Sequence, residues 1–567
     1  MSYNFSNKEV ADLFRNISAV YQIKNMNSFQ IRAYDLAADS VEHTNSEIKD
    51  LWETAQLDDV PGLGKSLRGY LNELFSTGKV KHFEQVSKGV PPNLFEFLKI
   101  PGVGPKTALK IAEAKVEDIN DLEEKIKKDK LVKEFSGKSL ANLLRGVEEY
   151  KRKSDRILLP VAGEIAKGVI EHLKKHSSVK EAHTLGSLRR RLATVGDIDI
   201  SVASNKPEEV VAHFAKTPGI SHVVEAGDKT STIALKNGIR VDLMVQPPEL
   251  YGNLLQHFTG GKNHNIKVRS LALKKGYSVS DNGTKEVKTG ELHKFTKEEE
   301  VYHLLGMDYP APELREDQGE IEAALEHKLP KLVELQDIKG DLHSHSTWSD
   351  GREVIEIMAK KAKELGREYL VMSDHSYPNL LDFKKRIEEI EQVNSSVKGI
   401  RVISGLEVNI NADMTLQVPD SILEMHEVIL VSIHSAFRQS KEEMTERIIT
   451  ALEHPLVNIL CHPTARMLLE REGIEAEWEI IFKKAQELGK IIEINAFPNR
   501  LDLPDNLVRL AKDSGVKFSI DTDAHHSSHL NLMEYGVSVA RRGWCEKGDI
   551  INTLSLPEIK RILKRIK

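Results

Sequence analysis

The chain has 567 residues, 40% hydrophobic and 29% charged, with a formal net charge of −6 at pH 7; it is too long for one core and predicts about three or four domains. No run of about 18 apolar residues exists, which excludes a membrane-spanning helix. Only Cys461 and Cys545 are available, which excludes a disulfide framework, and the lack of a basic-then-apolar N-terminus predicts a cytoplasmic protein.

Residues 1–153 read as helical, with apolar positions at helical spacing in Val10–Phe14–Ile17 and Leu67–Leu71–Leu74. An internal repeat lies here: Val60-Pro61-Gly62-Leu63-Gly64-Lys65 recurs as Ile100-Pro101-Gly102-Val103-Gly104-Pro105-Lys106. The glycines allow positive φ and close backbone approach. The helix that follows each turn offers unpaired N–H groups to a phosphate, and Lys65 and Lys106 add charge. A plain helix–helix turn is the alternative. The repeat resembles the helix-hairpin-helix motif, which implies a sequence-independent grip on DNA through Gly62, Gly64, Lys65, Gly102, Gly104 and Lys106.

From about residue 155 the pattern is mixed α and β, with strand-like runs at Asp197–Val202, Thr232–Leu235 and Arg240–Val245. Residues two apart in a strand share a face, so Asp197 and Asp199 point one way while Ile198 and Ile200 enter the core. Asp242 adds a third carboxylate from a neighbouring strand. Such clustered carboxylates suit hard divalent cations, Mg²⁺ or Mn²⁺. Gly186-Ser187 followed by Arg189 and Arg190 supplies donors for a polyphosphate.

These residues resemble the palm of a family X DNA polymerase, the class that includes DNA polymerase beta. The resemblance implies that Gly186, Ser187, Arg190 and Gly196 hold the triphosphate. It also implies that Asp197, Asp199 and Asp242 are catalytic metal ligands, and that Phe258, Gly260, Asn265 and Arg269 contact the nucleotide and the nascent pair. Four places depart from the family pattern: Arg191 replaces a glycine, His257 an aromatic, Gly261-Lys262 alters the base-side contact, and Tyr70 stands where the lyase lysine would be. A 5′-deoxyribose-phosphate lyase is therefore not supported, although Lys65 or another lysine could substitute. The charged, Pro-containing stretch from Tyr309 to Gln336 reads as a connector with one helix.

From Gly340 onward strand-like runs alternate with helical segments, the signature of a parallel sheet with about seven βα units. The candidate strands are Ile338–Leu342, Glu368–Met372, Ile400–Ser404, Val428–Ile433, Val457–Cys461, Lys490–Ile494 and Val516–Ile520. A His or carboxylate follows nearly every one, and in βα barrels those ends converge on one face. Imidazole and carboxylate together suit Zn²⁺, Mn²⁺ or Fe. Cys461 reads as a small buried strand residue, and His526 and His529 as loop residues.

The constellation resembles the polymerase-and-histidinol-phosphatase (PHP) domain, a distorted (β/α)₇ barrel with a trinuclear metal centre. The resemblance implies the ligands His343, His345, Asp350, His375, Glu407, His434, His462, Asp523 and His525. It further implies a 3′–5′ exonuclease that extends to abasic sites or blocked 3′ ends.

The expected architecture is thus multidomain: a helical domain over 1–85 with the first helix-hairpin-helix, fingers over 86–153 with the second, an α+β nucleotidyltransferase palm over 154–246, a thumb over 247–312, a linker over 313–337 and the barrel over 338–567. The expected function is short-gap filling in DNA repair of the base-excision type by a monomer. Its partners would be gapped or primer-template DNA and dNTPs, with no membrane. A small-molecule phosphatase and a non-catalytic DNA scaffold are the alternatives. The C-terminal basic residues Lys560, Arg561, Lys564, Arg565 and Lys567 read as a solvated helix face.

Overall fold

The computed structural model describes residues 3–566 except 4, 6, 44–47, 54–56, 58, 59, 61, 129, 155 and 377–381, so Pro61 of the first repeat and Lys567 lie outside the described residues, as does the side chain of Arg565. It divides into two compact units, Met1–Asp155 and Arg156–Lys567. No described helix is long and apolar enough to cross a membrane.

The first unit is helical. One core gathers Val10, Phe14, Ile17, Leu67, Leu71 and Leu74, and a second gathers Leu94, Phe97, Ile111, Leu122 and Val147. The amphipathic spacing in the sequence is what buries these faces.

The second unit opens on a short ribbon, β1 (Ile157–Leu158) paired with β3 (Thr194–Val195). Beside it lies a five-stranded sheet of β2 (Glu181–Thr184), β4 (Ile198–Ala203), β5 (Ile220–Ala226), β6 (Thr230–Leu235) and β7 (Arg240–Gln246) in the order β2-β4-β7-β6-β5. The β4–β7 pair alone is parallel, and its register sets Asp199 beside Asp242. Ile198, Ile200 and Val202 of β4 are fully buried, as their alternation requires. A three-stranded antiparallel sheet follows: β8 (Tyr277–Ser280), β9 (Gly283–Glu286) and β10 (Leu292–His293).

Seven parallel strands then run in sequence order: β11 (Gly340–Asp341), β12 (Tyr369–Met372), β13 (Arg401–Asn409), β14 (Val428–Ser432), β15 (Ile459–Leu460), β16 (Ile491–Asn495) and β17 (Lys517–Asp521). A bridge between Ser344 and Ala524 links the two ends of the sheet. β12 and β14 are buried at every position, because helices cover one face and the barrel interior the other. Most strands lie within a residue or two of the expected runs, but β13 extends to Asn409, well past Ser404. Asp197 precedes β4 and is exposed.

The stretch read as a connector is packed into the unit. Arg315, fully buried, donates to Glu298 at 2.8 Å and lies over the rings of Tyr302 and Tyr309. Arg541, from the helix Met533–Arg542, donates to Glu313 at 2.8 Å and to the Val333 carbonyl at 3.1 Å. The connector thereby fastens the polymerase-like half to the barrel.

Candidate active sites

Each helix-hairpin-helix turn presents its backbone outward. Gly62 and Gly102 adopt φ of +81° and +79°, a conformation that penalises any side chain. Leu63 and Val103 between the glycines are buried, while Gly62, Gly64, Gly102, Gly104, Lys65 and Lys106 are exposed. The helices Lys65–Thr77 and Pro105–Glu113 start at Gly64 and Gly104 without side-chain caps, which leaves their first N–H groups facing solvent. Tyr70 stacks on His82 with ring centroids 5.0 Å apart, so at this position the chain carries an aromatic packing residue and no nucleophile.

At the three-carboxylate site, Asp199 and Asp242 are neighbours in the sheet and Asp197 lies just upstream. Burial, aided by Asp242 and Asp197, pushes the Asp199 carboxyl up to about 6. Asp242 accepts a hydrogen bond from Thr232 on β6. Gly186, at φ +55°, packs so closely that a Cβ there would lie 2.8 Å from Asp199 Oδ2. Carboxylates that repel one another and face partly outward are a donor set fit for divalent cations.

The neighbouring arginines divide the work. Arg189 binds the buried Glu298 and the Thr259 hydroxyl, joining this sheet to the following helices. Arg190 donates through Nε to Glu316 and through Nη1 to the Thr259 carbonyl, both at 2.8 Å, which leaves Nη2 without a partner among the described residues. Ser187 keeps its hydroxyl free of protein hydrogen bonds among the described residues. Asn265 donates to the carbonyls of His257 and Gly260 at 2.8 and 3.0 Å, which ties the turn between the helices Tyr251–Thr259 and Lys262–Lys274. Phe258 is half-buried, and Arg269 is exposed one turn beyond Asn265.

In the barrel all nine expected ligands meet at one end of the strands. Glu407 on β13 is the hub: its oxygens lie 2.9 Å from His375 Nδ1, 2.9 Å from His462 Nε2, 3.2 Å from His434 Nε2 and 3.4 Å from His343 Nε2. Asp350 lies 3.3 Å from His525 Nε2 and 3.5 Å from His375 Nε2, and Asp523 3.2 Å from His345 Nε2. These side chains form overlapping metal-competent groups: His343, Glu407, Cys461 and His462; His345, Asp350, His375 and His525; His343, His345 and Asp523; His375, Glu407 and His434.

Burial, with His525 and His375 beside it, pulls His345 down to about 4, and burial with Arg500 pulls His462 down to about 3. Both imidazoles are thus neutral, the form that ligates metal. The histidines around Glu407 hold its carboxyl well below the usual range despite complete burial. Among the described residues buried His462 Nδ1 has no hydrogen-bond partner, and Asp523 Oδ1 and His525 Nε2 face other ligand side chains, His345 at 3.2 Å and Asp350 at 3.3 Å, an arrangement that suits metal-ligating atoms. Burial pushes the Cys461 thiol well up, and it points at Glu407 Oε1 at 3.6 Å as a protonated donor.

Several functional residues escaped sequence reading. Glu493, fully buried on β16, lies 2.6 Å from His343 Nδ1 and accepts the His462 backbone N–H at 2.5 Å. Its signal was a lone carboxylate inside the apolar run Ile491-Ile492-Glu493-Ile494. Asp374 accepts from Ser346 N at 2.6 Å and from Arg386 Nε at 2.7 Å, fixing the loop that carries His343 and His345. Arg500 Nε stands 3.7 Å from Asp523. His526 and His529 are both half-buried in the loop beyond the ligands.

Residues 5–80 match a helix-hairpin-helix domain, 95–145 a SAM-like helix-hairpin-helix tandem, 254–316 a DNA polymerase beta thumb and 341–496 a PHP domain. Fold and sites together define a family X polymerase joined to a PHP barrel. The chain is 33% identical over 570 residues to the DNA polymerase/3'-5' exonuclease PolX of Bacillus subtilis (strain 168), covering 98% of this chain and 99% of that protein. It belongs to the PolX family. DNA polymerase lambda of Arabidopsis thaliana is 25% identical over 54% of this chain and 62% of its own length. A probable phosphatase of Acetivibrio thermocellus is 28% identical over 34% of this chain and 82% of its own length.

Proposed function

We propose that this chain is a DNA repair polymerase that fills short gaps and trims 3′ ends at a second, separate centre. The observation that carries the reading is that one compact unit holds both three carboxylates, Asp199 on β4, Asp242 on β7 and Asp197 just before β4, and a nine-ligand set in the barrel. Neither set is needed for binding DNA alone.

At the first centre Asp197, Asp199 and Asp242 would hold Mg²⁺ or Mn²⁺. Ser187 and the free Nη2 of Arg190 would take oxygens of the incoming triphosphate, for which a planar guanidinium is well shaped. Phe258, Gly260, Asn265 and Arg269 line the following turn, where base and sugar would rest. The exposed turns at Gly62–Lys65 and Gly102–Lys106 would grip phosphates of gapped or primer-template DNA.

At the second centre the nine ligands would hold about three ions of Mn²⁺, Zn²⁺ or Fe, a number suited to such a crowded donor set. Divalent cations held by these two sets would supply Lewis-acid activation and neutralise charge on the phosphoryl group. Glu493 orients His343, and Asp374 holds the ligand loop. The enclosing barrel keeps the donors desolvated. A monomer working on DNA in the cytoplasm fits these features.

The test is separability on one-nucleotide-gapped DNA. Asp197→Asn should abolish extension and spare 3′ trimming, and His343→Ala should do the reverse. Loss of both activities in either variant overturns the two-centre reading.

A further inference from the structure

A cleft of about 270 Å³ opens between the polymerase-like sheet and the barrel, lined by Arg156, Arg191, Thr194, Arg466, Asp505 and Arg542. Four guanidiniums thus meet one carboxylate. Arg542 is neutralised, since Nη2 pairs with Asp505 at 2.6 Å and Nη1 with Glu316 at 3.1 Å. Among the described residues Arg191 pairs only with Glu534, at 3.9 Å. Arg156 and Arg466 form no ion pair with any described carboxylate.

Those two arginines are held by neutral groups. Arg156 donates through Nε to Thr194 Oγ1 at 2.7 Å and through Nη2 to the Thr194 carbonyl. Arg466 donates through Nε to the Arg500 carbonyl at 2.9 Å and through Nη2 to that of Leu501. Each is half-buried, fixed in place, and keeps Nη1 without a hydrogen-bond partner among the described residues. Two oriented guanidiniums that form no close ion pair with a described carboxylate, with Asp197 acting on Arg156 and Asp502 and Asp505 on Arg466 only from farther off, face one cleft and are fit to bind a phosphate group. The volume falls just below the roughly 300–1,000 Å³ of ordinary ligand pockets, room for one nucleotide unit of a single strand and far too little for a duplex.

The cleft also adjoins both centres. Arg156 Nη1 lies 3.8 Å from where a Cβ on Gly196 would stand, beside Asp197. Arg466 supports the backbone of Arg500, whose Nε lies 3.7 Å from the barrel ligand Asp523. We infer that this cleft binds backbone phosphate of a single DNA strand lying between the polymerase and nuclease centres. A free nucleoside monophosphate carries the same phosphate chemistry and is the competing occupant. The inference rests on the two-centre reading for its purpose, though not for the binding itself.

The first arm measures anisotropy of a fluorescent oligothymidylate with full-length protein in EDTA, across a salt series, with thymidine monophosphate as competitor. Each single-strand phosphate contact contributes about 0.7 to the slope of log K against log salt. Arg156→Gln and Arg466→Gln should each flatten the slope by about that amount, and Arg156→Lys, which keeps the charge, should restore it. Unchanged slopes overturn the proposal. So does monophosphate binding that the Gln variants abolish while strand slopes stay fixed, since the cleft would then be a mononucleotide site. The second arm follows a mismatched primer through trimming and extension in one binding event under a heparin trap. Extension of a matched primer should be unaltered in both Gln variants, and the trim-then-extend yield should fall about tenfold in each, a loss of about 1.4 kcal/mol in partitioning. An unaltered yield removes the strand's assignment to transfer. If Asp197→Asn and His343→Ala prove inseparable, the two-centre reading fails while the salt slopes still decide the binding.

Discussion

Glu493 Oε1 lies 2.6 Å from Nδ1 of His343, and its other oxygen accepts the backbone N–H of His462 at 2.5 Å. One carboxylate on β16 therefore orients ligands from two other strand ends and leaves Nε2 of His343 to face the centre. Partners of this kind fix the imidazole tautomer and commonly govern about 10–100-fold in metal affinity. Glu493→Gln keeps the volume and loses the charge. Titrating Mn²⁺ into the metal-stripped variant should raise the concentration giving half-maximal nuclease activity by that factor, with gap extension unaltered. An unchanged titration would deny Glu493 this role.

Gly186 gives a sharper probe of the polymerase centre. Its φ of +55° and the 2.8 Å from its would-be Cβ to Asp199 Oδ2 leave no space for a methyl group. Gly186→Ala should displace the Asp199 carboxylate and destabilise the turn by about 1 kcal/mol or more. Nucleotide incorporation should drop steeply while 3′ trimming persists, because the barrel ligands lie on other strands. A variant that extends primers at the parental rate would remove Asp199 from the reaction.

Arg190 is placed between two partners. Glu316 and the Thr259 carbonyl hold Nε and Nη1, and the Arg542 guanidinium donates to the Arg190 carbonyl at 2.9 Å. A bound triphosphate would add a charge-assisted hydrogen bond worth about 1.5–3 kcal/mol. Arg190→Gln should therefore lower kcat/KM for dNTP by roughly 10–100-fold, read in single-nucleotide gap filling. A change confined to thermal stability would make Arg190 a structural residue only.

What was legible in the sequence follows from the range of the interactions. The ligands His343, His345, His375 and Glu407 stand out because strand ends in a parallel barrel must converge, so local pattern implies a shared site. Asp197 and Asp199 stand out through their two-residue spacing. Glu493 and Asp374 act on ligands from other strands, and only the closed barrel brings them into contact. Arg190 and Arg542 meet across 352 positions, a pairing no local periodicity encodes. The packing of the connector is hidden for the same reason: Arg315 looks like a surface residue until Glu298, Tyr302 and Tyr309 surround it.

Glu298 makes the acid response of this junction predictable. Burial pushes its carboxyl up, but Arg315 and Arg189 outweigh burial and hold it down at about 2, against 4.5 for a free glutamate. A depressed carboxyl stabilises the fold above its unfolded value and loses that stabilisation as pH falls through the folded one. The contribution should be whole above about pH 4.5 and vanish toward pH 2, amounting to about 3 kcal/mol at neutrality, since the side chain is only 2% exposed. Glu298→Gln should be less stable than the parent by about that amount at pH 7 in urea unfolding, with the gap closing on acidification. A gap that stays constant from pH 7 to pH 3 would mean that Glu298 holds Arg189 and Arg315 by shape and hydrogen bonding, with its charge contributing little.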